Sequence, residues 1–240
     1  LGAETADGST ILKVVRDQIG KGADFIKIYA DYHWGPAKEA RPTFTLEELK
    51  QAHEAASSSG RYFVSHASSK EAIRRAVLAG AETIEHGDHM DVETGKLMKE
   101  HTVTYFPTLA ASEKVAQYKG WKKGADPEPA NIKEKKQSFR AALESGVTIG
   151  MGGDVGVYAH GDNAIEMELM VEYGMKAIEV LRAATSVNAK ALHMNHLVGA
   201  LKPGMLADII IVHGDPSIQV SLVRQVKMVM KDGVIYRQEK

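Results

Sequence analysis

Four residues combine a metal-binding side chain with a telling position: Lys27, His66, His86 and Asp154. Lys27 lies inside the apolar run Phe25-Ile-Lys-Ile-Tyr29. His66 closes Tyr62-Phe-Val-Ser-His66, His86 closes Thr83-Ile-Glu-His86, and Asp154 follows Val147-Thr-Ile-Gly-Met-Gly-Gly153. Imidazole and carboxylate groups are sound ligands for zinc and similar divalent ions. The C-terminal edge of a parallel sheet is where α/β proteins build their sites. A lone histidine in such a place is more often a partly buried structural side chain, so the argument rests on repetition at successive strands. Lys27 is the least ordinary member. Flanked by Phe25, Ile26 and Ile28, it is expected to face a buried side, where a bare ammonium is costly. One reading is a buried ion pair with Asp24 or Asp31. The other is addition of CO2 to give a carbamate anion able to bridge two metal ions, a reaction of the neutral amine that desolvation favours.

The elements that must hold these residues alternate between helical and strand patterns, the mark of β/α units around a parallel sheet. Ser9 is expected to cap a helix running to about Gly20. Thr45 with Glu48, and Ser68 with Glu71, have the spacing of capping boxes. Asp91 opens a further helix, Ile132 to Ser145 lies in a long one, and two more are expected over 163–173 and 177–192. From Asp208 onward the pattern is all strand: 209–212, 226–230 and 234–236, the last two joined by the hairpin signal Asp232-Gly233. A change of domain is placed near 201–206, giving 1–200 and 201–240. About five strand-helix units precede that tail, whereas a closed (β/α)8 barrel needs eight and typically ~250 residues.

Bulk properties narrow the function classes. The chain has 240 residues, 44% apolar and 25% charged, with a formal net charge of −1. That balance points to no nucleic-acid or anionic-membrane partner, and no apolar run approaches the roughly 18 residues of a bilayer-spanning helix. The absence of cysteine excludes disulfides, Cys-ligated zinc and thiol catalysis within this chain. Leu1 is neither an initiator methionine nor the start of a signal peptide. The visible start is therefore expected to lie inside a longer gene product, with cytoplasmic and periplasmic addresses both open. Gly150-Met-Gly-Gly153 resembles a phosphate loop only superficially, since the acidic Asp154 next to it repels phosphate.

Taken in order, Gly22-Ala-Asp-Phe-Ile-Lys-Ile-Tyr29, Val64-Ser-His-Ala67, Thr83-Ile-Glu-His-Gly87, Gly152-Gly-Asp-Val155, Ala184-Thr-Ser-Val-Asn-Ala189 and the tail 199–233 are similar to the amidohydrolase superfamily. The likeness is to its imidazolonepropionase-related and Xaa-Pro dipeptidase (prolidase)-like branch, and it covers essentially the whole chain. It implies an α/β fold, a (β/α)8 TIM barrel of the metal-dependent hydrolase type, with strands four to eight in this chain, plus the C-terminal part of a small composite β-sandwich. Lys27 would lie on the fourth strand, His66 on the fifth, His86 on the sixth and Asp154 on the eighth. The implied cofactors are two divalent metal ions, with Zn2+ the first choice, bridged by a CO2-derived carbamate on Lys27. His66 and His86 would bind the second ion and Asp154 the first. The implied reaction is hydrolysis of a C–N amide bond in a small substrate such as a dipeptide or N-acyl amino acid. A metal-bridged hydroxide would attack, and Asp154 would act as general base. The His-x-His pair that opens family members on the first strand is absent from this sequence, so an upstream segment is expected to supply it. The chain alone is accordingly expected to bind metal weakly and to be inactive or poorly folded.

Weaker substrate signals are Tyr32, Arg41 and His160, which lie just beyond strand ends; arginine suits carboxylate recognition. Trp34 and Trp121 would line a cavity mouth or simply pack. His33, His53, His101, His193, His196 and His213 read as structural. Two alternatives compete. One is a single-metal relative, an imidazolonepropionase-like lactam hydrolase or a deaminase, against which Lys27 argues because those branches usually lack it. The other is a catalytically silent scaffold fragment, and a homo-oligomer is compatible with any of these.

Overall fold

The computed structural model describes residues 6–33 and 39–239, and Trp34 lies outside them. In chain order the elements are α1 (Ile11–Gly20), β1 (Phe25–Tyr29), β2 (Asp31–His33), β3 (Ala40–Pro42), α2 (Leu46–Ser57), β4 (Tyr62–Ala67), α3 (Lys70–Leu78), β5 (Thr83–His86), α4 (Val92–Glu100) and β6 (Thr104–Phe106). Next come α5 (Leu109–Tyr118), α6 (Ala130–Ser145), β7 (Thr148–Ile149), α7 (Ala164–Glu172), α8 (Ala177–Arg182), a π-helical segment (Ala183–Val187), α9 (Asn188–Ala191), β8 (Ile209–Val212), β9 (Val226–Lys231) and β10 (Val234–Gln238). The chain forms two compact units, 1–106 with 137–148, and 107–136 with 149–240.

The main sheet is five-stranded in the order β1-β4-β5-β6-β7. Its strands are joined by helices, as parallel strands require. Register reflects alternation: Lys27 pairs with Val64 and Val64 with Thr83, while Tyr29 pairs with His66 and His66 with Glu85. The intervening residues Ile26, Ile28, Phe63, Ser65 and Ile84 are buried, and α1, α2 and α3 contact these strands. Phe63 and Ile84 are both 0% exposed, and burying such a side chain contributes roughly 2–3 kcal/mol.

Helix starts largely obey the expected chemistry. Thr45 and Glu48 form a complete capping box, worth about 1 kcal/mol. Asp91 caps α4 by accepting from Thr94 N at 2.9 Å. The second box does not form: Ser69, not Ser68, caps α3, accepting from Ala72 N. Ser68 instead donates to Asp88 at 2.8 Å, and Glu71 is drawn to Arg74 and Arg75 on its own helix. At the front, Thr10 rather than Ser9 precedes α1, because both hydroxyls donate to the Asp7 carboxylate.

The second unit carries the antiparallel sheet β10-β9-β8. The helix expected over 177–192 is divided, with the π-helical segment between α8 and α9. β2 and β3 pair antiparallel, Asp31–His33 with Ala40–Pro42.

Candidate functional site

In the first unit, alternation brings Lys27, Tyr29, His66 and Glu85 to one face of the sheet, opposite the face that α1, α2 and α3 cover. Lys27 is not buried as its apolar neighbours led one to expect: its side chain is 42% exposed. The strand's period of two explains this, since Ile26 and Ile28 take the helix-covered side and Phe25, Lys27 and Tyr29 the other. Its charge partner is neither Asp24 nor Asp31 but Glu85, at 3.5 Å. Glu85 accepts from Thr83 Oγ1 at 2.5 Å through one oxygen. Its other oxygen, Oε2, is buried without a hydrogen bond and faces the Lys27 ammonium.

His66 and His86 end neighbouring strands and meet edge to face, with ring centroids 4.4 Å apart. Their positions alternate in the pleat, so one of them has to turn. His86 does so through a left-handed backbone, φ 75°, a conformation that is uncommon for a side-chain-bearing residue and concentrates at functional sites. Tyr105 donates to the His86 carbonyl at 2.8 Å and helps to hold that turn. Tyr29 stacks on His66 at 4.6 Å. The His66 Nε2 atom lies 3.4 Å from Asp31 Oδ1. Asp31 is fully buried; burial opposes its charge, yet the donors from His66, Ser69 and Ser68 outweigh this and hold its carboxyl below the ordinary range.

Asp154 belongs to the second unit, where it too adopts a left-handed backbone, φ 56°. It is exposed. Two features build the segment before it. Asn188, which directly succeeds the π-helical segment, accepts from Met151 N at 3.0 Å and donates to Met151 O at 2.7 Å. Gly153 is required by close approach, since a Cβ there would run into the Tyr158 hydroxyl. That hydroxyl is buried without a hydrogen-bond partner. Burial first, then the Glu166, Asp162 and Asp154 carboxylates, push it up to about 12.

The weaker candidates are more scattered. Tyr32 and Arg41 are direct cross-strand partners on β2 and β3, and both are exposed. His160 is exposed in the second unit. Trp121 is half-buried with its indole N–H unpaired. Sequence reasoning offered Asp31 only as a partner for Lys27, and Glu85, Tyr29 and Asn188 not at all. The signal for the first three is register: a few residues on from Lys27, or beside His66 across the sheet.

The donor set suits a divalent ion in part. Two adjacent imidazoles with a carboxylate behind one of them match the usual metal-histidine arrangement. Among the described residues, no group of three or more His, Cys, Asp or Glu is placed to hold an ion. By itself the imidazole pair does not make a complete ligand set.

Comparison with known proteins bears on the fold and the family. Solved structures similar to the chain include a Xaa-Pro dipeptidase with methionine bound in its active site, at TM-score 0.87 and 35% identity, covering 97% of this chain and 59% of that one. A prolidase complexed with N-methylphosphonate-L-proline matches at TM-score 0.85 and 27% identity, over 99% of this chain and 60% of the other. The A. niger ochratoxinase matches at TM-score 0.84 and 29% identity, over 98% and 56%. An uncharacterized protein of Mycobacterium tuberculosis is 29% identical over 189 residues, 75% of this chain and 50% of that protein. The chain thus spans about half the length of the curated relative and about three-fifths of the dipeptidase. These structural similarities bear out the fold class, a portion of a metal-dependent-hydrolase barrel with antiparallel strands after it. The amidohydrolase family model matches residues 6–236, nearly the whole sequence, and the chain belongs to the amidohydrolase family.

Proposed function

We propose that this chain carries part of the active site of a metal-dependent amidohydrolase that cleaves the C–N amide bond of a small substrate, a dipeptide or N-acyl amino acid. The observation that carries the reading is the His66–His86 pair, 4.4 Å between ring centroids at the ends of adjacent parallel strands. The dipeptidase and prolidase structures among the similar proteins support the substrate class.

In this reading His66 and His86 hold one divalent ion through imidazole nitrogens. Lys27, carboxylated, and Asp154 would be further ligands of a binuclear set. Bound divalent ions polarise a carbonyl and make hydroxide available at neutral pH. Asp154 accepts a proton during attack and delivers it to the leaving amine. Its exposed carboxylate and the Met151–Asp154 turn held by Asn188 suit that task. Tyr32 and Arg41, side by side on β2 and β3, offer a phenol and a guanidinium for a substrate carboxylate.

The ion pair between Lys27 and Glu85 favours a second reading, a single-ion site in which Lys27 stays an ammonium. Metal content separates the two: two ions per complete site for the binuclear enzyme, one for the alternative. Activity is tested with a panel of Xaa-Pro dipeptides and N-acyl amino acids, with and without a chelator. Asp154→Asn is expected to lower kcat by about 100-fold or more. Hydrolysis that survives both the chelator and this substitution would overturn the proposal.

A further inference from the structure

From sequence, Asp31 is only a candidate partner for Lys27, and the structure gives it a different neighbour. It lies two residues beyond the end of β1 and is fully buried. Its carboxylate accepts from Ser68 N at 3.1 and 2.9 Å and from Ser69 N at 2.6 Å. The Ser69 side chain also bonds to it, and His66 Nε2 lies 3.4 Å from Oδ1. We propose that Asp31 is a positioning residue for His66, holding the Nε2–H of that imidazole so that the lone pair sits on Nδ1 for a divalent ion.

The chemistry is one of donor and acceptor count. An ionised carboxylate accepts and never donates, so the imidazole nitrogen that faces it carries the hydrogen. A neutral imidazole has one N–H, and fixing it on Nε2 leaves Nδ1 as the ligating nitrogen. The backbone N–H groups of Ser68 and Ser69, with the Ser69 side chain, hold the carboxylate in place with its oxygens acting as acceptors. The ring cannot easily turn away. Tyr29 stacks on it at 4.6 Å, with 26° between planes, and His86 abuts it at 4.4 Å and 62°. A histidine that ligates a metal usually gives its other nitrogen's hydrogen to a carboxylate or carbonyl, and this partner both selects the tautomer and raises ligand basicity.

The inference rests on the proposed metal-binding reading, and one experiment separates the two. Imidazole 15N spectra of the full chain at neutral to mildly basic pH report the tautomer of each histidine, and the His66 signal is assigned by its loss in His66→Gln. Zn2+ affinity is measured in parallel by competition with a chromophoric chelator. The wild type is expected to show His66 with hydrogen on Nε2. Asp31→Asn, nearly isosteric but able to donate as well as accept, is expected to shift that signal toward a tautomer mixture and to weaken Zn2+ binding about 10–100-fold. Asp31→Glu, which retains an acceptor-only group, is expected to recover part of the Nε2–H signal. A wild-type signal with hydrogen on Nδ1 overturns the positioning role even if Zn2+ binds, and needs no variant to fold. A tautomer unchanged in folded Asp31→Asn overturns it as well. A tautomer set by Asp31 in a chain that takes up no Zn2+ upholds the positioning role and counts against the metal-binding reading.

Discussion

Glu166 illustrates how a single buried group sets the behaviour of the second unit. It is 0% exposed and accepts from the backbone N–H groups of Leu109 at 2.9 Å and Ala110 at 2.7 Å, at the start of α5. Burial raises its carboxyl from the usual 4.5 to about 7, against the opposing pull of those donors and of Lys135. The folded value is the higher, so the folded state prefers the protonated acid. The resulting stabilisation is full below pH 4.5, declines above it and is gone once pH passes about 7. Thermal unfolding of the second unit is therefore expected to shift to lower temperature between those limits, by an amount on the order of 3 kcal/mol. A pH-independent midpoint would refute this. Replacing Glu166 by Gln is expected to flatten the profile, with the loss of one of the two backbone acceptors. Nothing in the local sequence Asn163-Ala-Ile-Glu-Met-Glu168 separates Glu166 from Glu168 by composition. The helix turns one into the core and the other toward Arg224, 2.6 Å away.

At the scale of elements, the π-helical segment has the clearest consequence. Such a segment adds a residue to one turn and re-aims the side chains beyond it. The first of these is Asn188, whose amide holds both polar groups of Met151. The sequence run Ala184-Thr-Ser-Val-Asn-Ala189 points to the family, but an uninterrupted helix is the simplest expectation from its periodicity. Gly199 closes against this segment. Its φ is 93°, and a Cβ would sit 2.5 Å from the Ala189 Cβ and 3.1 Å from the Thr185 carbonyl oxygen. Gly199→Ala has to absorb both the left-handed backbone and a clash with backbone that cannot step aside. A loss of about 1–3 kcal/mol is expected, readable in chemical denaturation midpoints. A change below about half a kcal/mol would show that the turn yields. The Thr45–Glu48 box was legible, but the Ser68–Glu71 box does not form: Asp31 and Asp88 engage the Ser68 backbone and hydroxyl, and Ser69 caps the helix instead.

For the whole chain, the two sheets differ in what they bury. Phe63 on the main sheet is 0% exposed, whereas Tyr236 on β10 is 72% exposed and Ile210 on β8 is 65% exposed. Phe63→Ala is expected to cost about 3–5 kcal/mol. Tyr236→Ser should stay within about 0.5 kcal/mol, and equal losses in denaturant titrations would contradict this contrast. By itself the sequence determined the alternation of strand and helix, the strand that holds Lys27, the strand ends at His66 and His86, and the three strands of the tail, though not the 3-10 helix Val220–Arg224 between them. Those features are local, because hydrophobic period, cap spacing and turn residues act over a few neighbours. Family membership was legible for the same reason, being carried by short motifs in a recognisable order. Only the tertiary structure decided that Lys27 stands on the open face against Glu85, that His66 leans on a buried Asp31, and that His86 turns through a left-handed backbone to meet it. Each of these joins residues on different strands, and strand register is set by packing against helices distant in sequence.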